Sequence, residues 1–110
     1  MGADITFYKG KKSFYFRDTY NNTNLAWVIG LSYWCCKNNK KFKIEFFEQL
    51  AKITDEQIKE RVDDLHGNKT KEYHIVPDKK SWTKMFSNKR AEIHKNLKLI
   101  RSADRISWNV

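Results

Sequence analysis

Two hydrophobic periods share this chain, and their order along it is the strongest constraint on what it can fold into. Near the start, DITFY (4–8) and SFYFR (13–17) alternate with a period of two around KGKK. Near the end DRISWNV alternates again, with Ile106, Trp108 and Val110 on one side. Between these stretches the apolar residues recur at helical spacing. Half-buried strands at both ends of a helical middle predict an α+β fold: a small antiparallel sheet, made of an N-terminal hairpin turning at Gly10 and a C-terminal strand, packed by about four helices. Strand neighbours point to opposite faces, so Tyr15 and Arg17 are not both core with Phe14 and Phe16. One side of that strand is apolar and the other mixed.

The helical segments differ in how sharply they are punctuated. In NNTNLAWVIGLSYW, Asn22 to Asn24 offer N-cap side chains, and Leu25, Val28, Ile29 and Leu31 follow at helical spacing. Gly30 weakens that helix and implies a close neighbour. After the polar KNNKK, the run KIEFFEQLAKI predicts a helix with Phe42, Phe46, Phe47, Leu50 and Ile53 on its core face. The next helix is the most legible. Thr54 and Gln57 form a capping box, Asp55 and Glu56 oppose the macrodipole, Ile58, Val62 and Leu65 make the stripe, and Gly67 is expected to stop it. KEYHIVPD then reads as extended, and a long helix is predicted from about Lys79 or Ser81 to Ser102. Its core face holds Trp82, Met85, Phe86, Ile93, Leu97 and Ile100.

At 110 residues the chain is expected to be one domain, 1–110, large enough to bury a core without staples. Seven Phe, five Tyr and four Trp supply large rigid side chains along its whole length. No run approaches the roughly 18 consecutive apolar residues of a membrane span, and MGADITFYKG lacks the apolar core of a secretory signal. A cytoplasmic protein without membrane contact is therefore expected, although Gly2 and Thr6 match the outline of a myristoylation signal. Adjacent Cys35 and Cys36 are expected to be reduced thiols, because neighbouring cysteines bridge only through a strained ring. His66, His74 and His94 have no ligand-like spacing, so neither a metal nor a cofactor is expected.

Charge is the most informative remaining feature. The net charge is +9, and residues 69–110 carry eleven basic side chains against four acidic ones. Within the last predicted helix, Lys80, Lys84, Lys95 and Lys98 fall within about 60° of one another, opposite the apolar stripe, with Arg90 and Arg101 on the flank. Such a ridge is either a solvated helix face or a surface for a polyanion or an acidic partner. Lys37 to Lys43 and the hairpin-tip lysines Lys9, Lys11 and Lys12 can extend its field. Lysine outnumbers arginine there, which suits phosphate contact better than base-specific readout.

A second candidate site is a pocket built from Arg17, Asp18, Tyr20, Asn24, Trp27 and Trp34. Its plain alternative is structural: Asp18 pinning Arg17 or capping the turn that the asparagines favour. Catalytic constellations are missing from the sequence: there is no glycine-rich phosphate loop, no Gly-x-Ser-x-Gly and no paired metal-binding histidines. A binding protein rather than an enzyme is expected.

MGAD at the start, YFRDTYNNTNLAWVIGLSYW, KITDEQI, SWTKMF and the terminal ISWNV together resemble small proteins carried by bacteriophages and mobile elements of AT-rich bacteria. The resemblance covers nearly the whole chain and implies a category of action rather than a set of residues. Small accessory proteins of this kind bind and inhibit a host defence component, either the defence protein itself or its nucleotide signal, in the bacterial cytoplasm. The resemblance thus implies an inhibitor of a host defence protein. A signalling-nucleotide sponge and a general nucleic-acid binder are the rivals.

Overall fold

The hairpin forms in the register that its alternation dictates. Strand β1 (Ala3–Lys9) pairs antiparallel with β2 (Lys12–Asp18), setting Ile5 opposite Phe16 and Phe7 opposite Phe14. All four are buried, and Tyr15 on the opposite face is exposed. The computed structural model describes residues 2–18, 24–36, 39–72 and 78–110, without the side chains of 35–36 and 68–72. Strand β3 (Arg105–Asn109) joins the free side of β1, again antiparallel, with Trp108 opposite Ile5. The resulting order β2-β1-β3 is the small α+β sheet expected from the two ends of the chain.

Among the described residues, four α-helices and two short 3-10 helices pack this sheet. Helix α1 (Lys40–Ala51) starts where the Asn39 side chain accepts the Phe42 amide proton at 3.1 Å. Its buried residues are Phe46, Phe47, Leu50 and Ala51. Phe47 is the hub of the core, its ring centroid 4.9 Å from Phe7, 5.5 Å from Phe16 and 5.8 Å from Trp108, each edge-on. Phe42, expected on the core face, is exposed. It belongs to the capped first turn, and the buried stripe begins one turn later.

Helix α2 (Asp55–Glu72) begins with the predicted capping box made in both directions. Thr54 N donates to Gln57 Oε1 at 2.8 Å, and Gln57 N donates to Thr54 Oγ1 at 3.1 Å. Ile58, Val62 and Leu65 are buried as expected. Gly67 does not stop the helix, which continues to Glu72. A glycine ends a helix by turning left-handed, and the glycines with positive φ are Gly10 and Gly30. Held in helical conformation, Gly67 costs at most about 1 kcal/mol relative to Ala.

Two further boundaries depart from expectation. The predicted helix over NNTNLAWVIGLSYW is two 3-10 helices, Leu25–Ile29 and Tyr33–Cys36. Gly30 divides them at φ +68°, its amide donating back to Ala26 and Trp27. A Cβ there would meet nothing within 4 Å, so backbone conformation rather than close packing selects glycine. The predicted long C-terminal helix is α3 (Lys79–Lys95) and α4 (Leu97–Arg101), parted at Asn96. The Asn96 side chain donates to the Glu92 carbonyl at 2.8 Å, and its backbone N–H turns to Ile93 at 3.0 Å. A side-chain amide has thus taken the carbonyl that helical continuation would use.

Asp78 caps α3 by accepting from Ser81 N at 2.7 Å. Trp82, Phe86, Ile93 and Ile100 are buried, and Met85, Leu97 and Trp108 pack partly buried against them. KEYHIVPD, expected to be extended, begins inside α2, which runs on through Lys71 and Glu72, while its residues 73–77, the Asn22 cap and the Cys35 and Cys36 thiols lie outside the described residues and side chains. No helix is long and apolar enough to cross a membrane, among the described residues.

Candidate binding surfaces

The structure divides the cations into those committed to carboxylates and those left over. Lys9 pairs with Asp104 at 3.4 Å, Arg17 with Asp4 at 3.7 Å, and Lys59 and Lys79 share Asp63 at 3.0 and 3.2 Å. Hydrogen bonds from those two lysines hold the Asp63 carboxyl below its ordinary range. Lys80, Lys84, Lys95 and Lys98 are all exposed, and none has a carboxylate partner among the described residues. Lys80, Lys84 and Lys95 lie on α3, within about 60° of one another and opposite Trp82, Phe86 and Ile93. Lys98 follows beyond the Asn96 turn on α4. From Lys80 to Lys95 the row covers about 22 Å of helix.

The two arginines assigned to the flank have other employment. Arg90 donates to the Ile53 carbonyl at 2.8 Å and to Asp55 at 2.7 Å, tying α3 to the start of α2, with its side chain only 22% exposed. It is a strut and not part of the ridge. Arg101 reaches Glu48 on α1 at 3.4 Å. Along α3 and α4 the cations without a carboxylate partner among the described residues are thus the four ridge lysines, and Lys11, Lys12, Lys41 and Lys52 elsewhere on the surface also have none.

The second candidate region is organised by Asp18. Phe14, Phe16 and Asp18 share one strand face, so the period of two that buries the phenylalanines buries the carboxylate too, and Asp18 is fully buried. It accepts from Lys89 Nζ at 2.6 Å, from Leu25 N at 2.7 Å and from the Tyr33 hydroxyl. The alternation was the available signal that Asp18 needs an internal cation. Lys89 lies 71 positions away, on the helix that also carries the ridge lysines Lys80, Lys84 and Lys95. The expected pairing of Asp18 with Arg17 does not occur: Arg17 points to the opposite face, toward Asp4.

Beside this node lies a cavity of about 220 Å³, lined by Asn24, Trp27, Ser32, Tyr33, Trp34 and Val110 with Gly2 and Ala3. Of the six predicted pocket residues, Asn24, Trp27 and Trp34 are brought together there. Asp18 sits behind Tyr33, Arg17 is outside, and Tyr20 lies outside the described residues. Burial, the Asp18 charge and the bond to Asp18 together hold the Tyr33 phenol well above its usual range. The Tyr33 carbonyl accepts from the Trp108 indole at 2.9 Å, which fixes this wall to β3. Asn24, although it precedes the first 3-10 helix, makes no side-chain cap bond, and its Oδ1 is buried without a hydrogen-bond partner among the described residues.

No family model, no curated protein and no solved structure matches this chain.

Proposed function

We propose that this protein is a non-enzymatic binding protein whose ligand is a polyanion, nucleic acid foremost, engaged through the lysine ridge. The observation that carries this reading is the division of charge. Eight cations are placed against carboxylates, while four exposed lysines following one line along α3 and α4 have no carboxylate partner among the described residues. Helix stability does not call for such an arrangement, because like charges on neighbouring turns repel. Phosphates along a strand neutralise it and release counterions as they do. Lysines make point contacts rather than bidentate ones, which favours backbone binding of low sequence specificity. In the phage-accessory setting that the resemblance implies, the protein inhibits a host defence component by occupying a nucleic acid or nucleotide on which that component depends.

The test is a titration of single- and double-stranded oligonucleotides across a range of salt. Replacing Lys80, Lys84, Lys95 and Lys98 together with Gln should leave stability within about 0.5 kcal/mol per site. Affinity should fall at least about tenfold, and the salt slope on duplex DNA should flatten by about 3 to 4. A Gln variant at Lys11 and Lys12 of the hairpin tip provides the comparison. Equal affinity and slope in the ridge variant would return the ridge to a solvated helix face.

A further inference from the structure

The sheet has a second face. Phe47 of α1 packs on Phe7 and Phe16, and Lys89 of α3 meets Asp18, so α1 and α3 lie on the side where those strand residues are buried. On the opposite side β1, β2 and β3 align their alternate residues in cross-strand rows, and none of these residues is buried. Two of them are tyrosines. Tyr15 is 53% exposed, and its hydroxyl donates to Asp4, its diagonal neighbour on β1, which lays the ring along the sheet surface. Tyr8 is the other diagonal neighbour, and the Arg105 guanidinium from β3 sits over its ring at 4.1 Å, a second flat group held on the same surface. Arg17 adds another cation, its side chain 65% exposed and 3.7 Å from Asp4, while Arg105 has no carboxylate partner among the described residues. Two arginines thus stand against one carboxylate. The remaining positions are Ser, Thr or Asn, and no aliphatic side chain stands on this face. A second copy or a partner helix docked here would bury hydroxyls and charges in place of an apolar centre.

We propose that this open sheet face is a stacking platform for single-stranded nucleic acid, taking successive unpaired bases on Tyr15 and on the Arg105–Tyr8 pair. Unpaired bases stack on tyrosine rings and on guanidinium planes, and the arginines complement the phosphates between them. Diagonal neighbours in a sheet stand about 7 to 8 Å apart, so each flat group has room for its own base. The hydroxyls and the Asn109 carboxamide around them offer donors and acceptors to base edges. A duplex does not fit this chemistry, because its bases are stacked on one another and show only their edges in the grooves. The inference rests on the reading of nucleic acid as the ligand, but it uses a different surface: the ridge belongs to α3 and α4, and α3 packs on the other side of the sheet. The ridge contributes charge without regard to strandedness. The platform contributes a preference for single strands.

The test is a titration of the full chain with a short labelled oligothymidylate and with a labelled hairpin duplex, each over a range of salt. Tyr15→Ala should weaken binding of the single strand at least about fivefold, while duplex affinity and the salt slope stay as in the unaltered protein. Tyr15→Phe keeps the ring and should bind as the unaltered protein does. Arg105→Gln removes the other flat group and should cost the single strand a similar factor, which keeps the proposal testable should Tyr15→Ala fail to fold. The four-lysine ridge variant should behave in the opposite way, with a flattened salt slope on both ligands. The two readings therefore fail separately. A loss in Tyr15→Ala beside an unaffected ridge variant removes the ridge and upholds the platform. Duplex binding that depends on the ridge, with oligothymidylate bound equally by Tyr15→Ala, Arg105→Gln and the unaltered protein, overturns the platform alone. Equal losses on both ligands in Tyr15→Ala, or sedimentation showing that Tyr15→Ala dissociates a dimer, would also overturn it.

Discussion

Asp18 and Lys89 meet at 2.6 Å inside the protein, with Asp18 fully buried and the lysine side chain 13% exposed. Two other donors, Leu25 N and the Tyr33 hydroxyl, converge on the same carboxylate. The pair therefore joins the end of β2 to α3 and to both 3-10 helices. Removing the cation leaves an uncompensated buried charge, which is the costly way to break such a pair. Lys89→Met is expected to lower unfolding free energy by about 3 to 5 kcal/mol, measured by chemical denaturation. A loss below about 1 kcal/mol, the scale of an exposed pair, would show that Asp18 is not held by Lys89 in solution.

The Tyr33 proton provides a pH signature for the same node. Its folded pKa is raised above the unfolded value near 10. A raised group contributes stability that is fully present below the unfolded pKa and lost as pH rises toward the folded one. Stability relative to Tyr33→Phe should therefore be constant up to about pH 10 and then decline by up to about 1.4 kcal/mol per pH unit. The lysines and other tyrosines that titrate in this range are common to both proteins and cancel. A flat difference up to pH 11 would contradict the bond to Asp18.

Arg90 separates structural from binding charge. Arg90→Gln should lose about 1.5 kcal/mol of stability, the lower end for a charged hydrogen bond, because the Ile53 carbonyl and Asp55 lose their donor. Oligonucleotide affinity should not change. A weakened affinity at unchanged stability would place Arg90 back on the ridge.

Asp104 pins the hairpin tip, accepting Gly10 N–H at 2.8 Å and meeting Lys9 at 3.4 Å. The Gly10 bond, then the lysine, hold its carboxyl below the ordinary range. A lowered group gives stability that is present above the unfolded pKa, near 3.9, and lost as pH falls through the folded value. The Gly10 amide resonance should accordingly titrate with a midpoint below 3.9. In Asp104→Asn, which retains an acceptor, the titration should vanish while the amide stays protected. A midpoint at the ordinary carboxylate value would mean the contact is not made.

What could be read ahead of the structure was whatever depends on near neighbours. Alternation in DITFY, SFYFR and DRISWNV specified the strands, and the Thr54–Gln57 box specified a helix start, because both devices act within a few residues. Gly67 and Gly30 show where local reading stops. The same residue type sits inside one helix and ends another, and only the backbone conformation taken up at each position distinguishes them. The Asn96 break depends on a side chain competing with its own backbone. Lys89 has no role legible in the sequence, because its partner Asp18 lies 71 positions away and only the fold brings the two together. The ridge lysines were legible from helical spacing, whereas the Asn24 cavity required the two 3-10 helices to be placed against β3.

The strand order carries a consequence for biosynthesis. β1 occupies the middle of the sheet, yet one of its two neighbours is encoded far downstream: Gly10 and Asp104, which meet where β3 begins, are 94 positions apart. At the roughly 5 to 20 residues per second of translation, β1 waits some 5 to 20 seconds with one edge unpaired. A lone two-stranded hairpin is marginal in water, and the Trp108 that closes over Tyr33 and Phe47 arrives with that late strand. Nascent chains of this protein therefore pass through a window in which an open strand edge and an incomplete aromatic core coexist. Lys9, Lys11 and Lys12 at the tip keep that edge charged until its partner arrives.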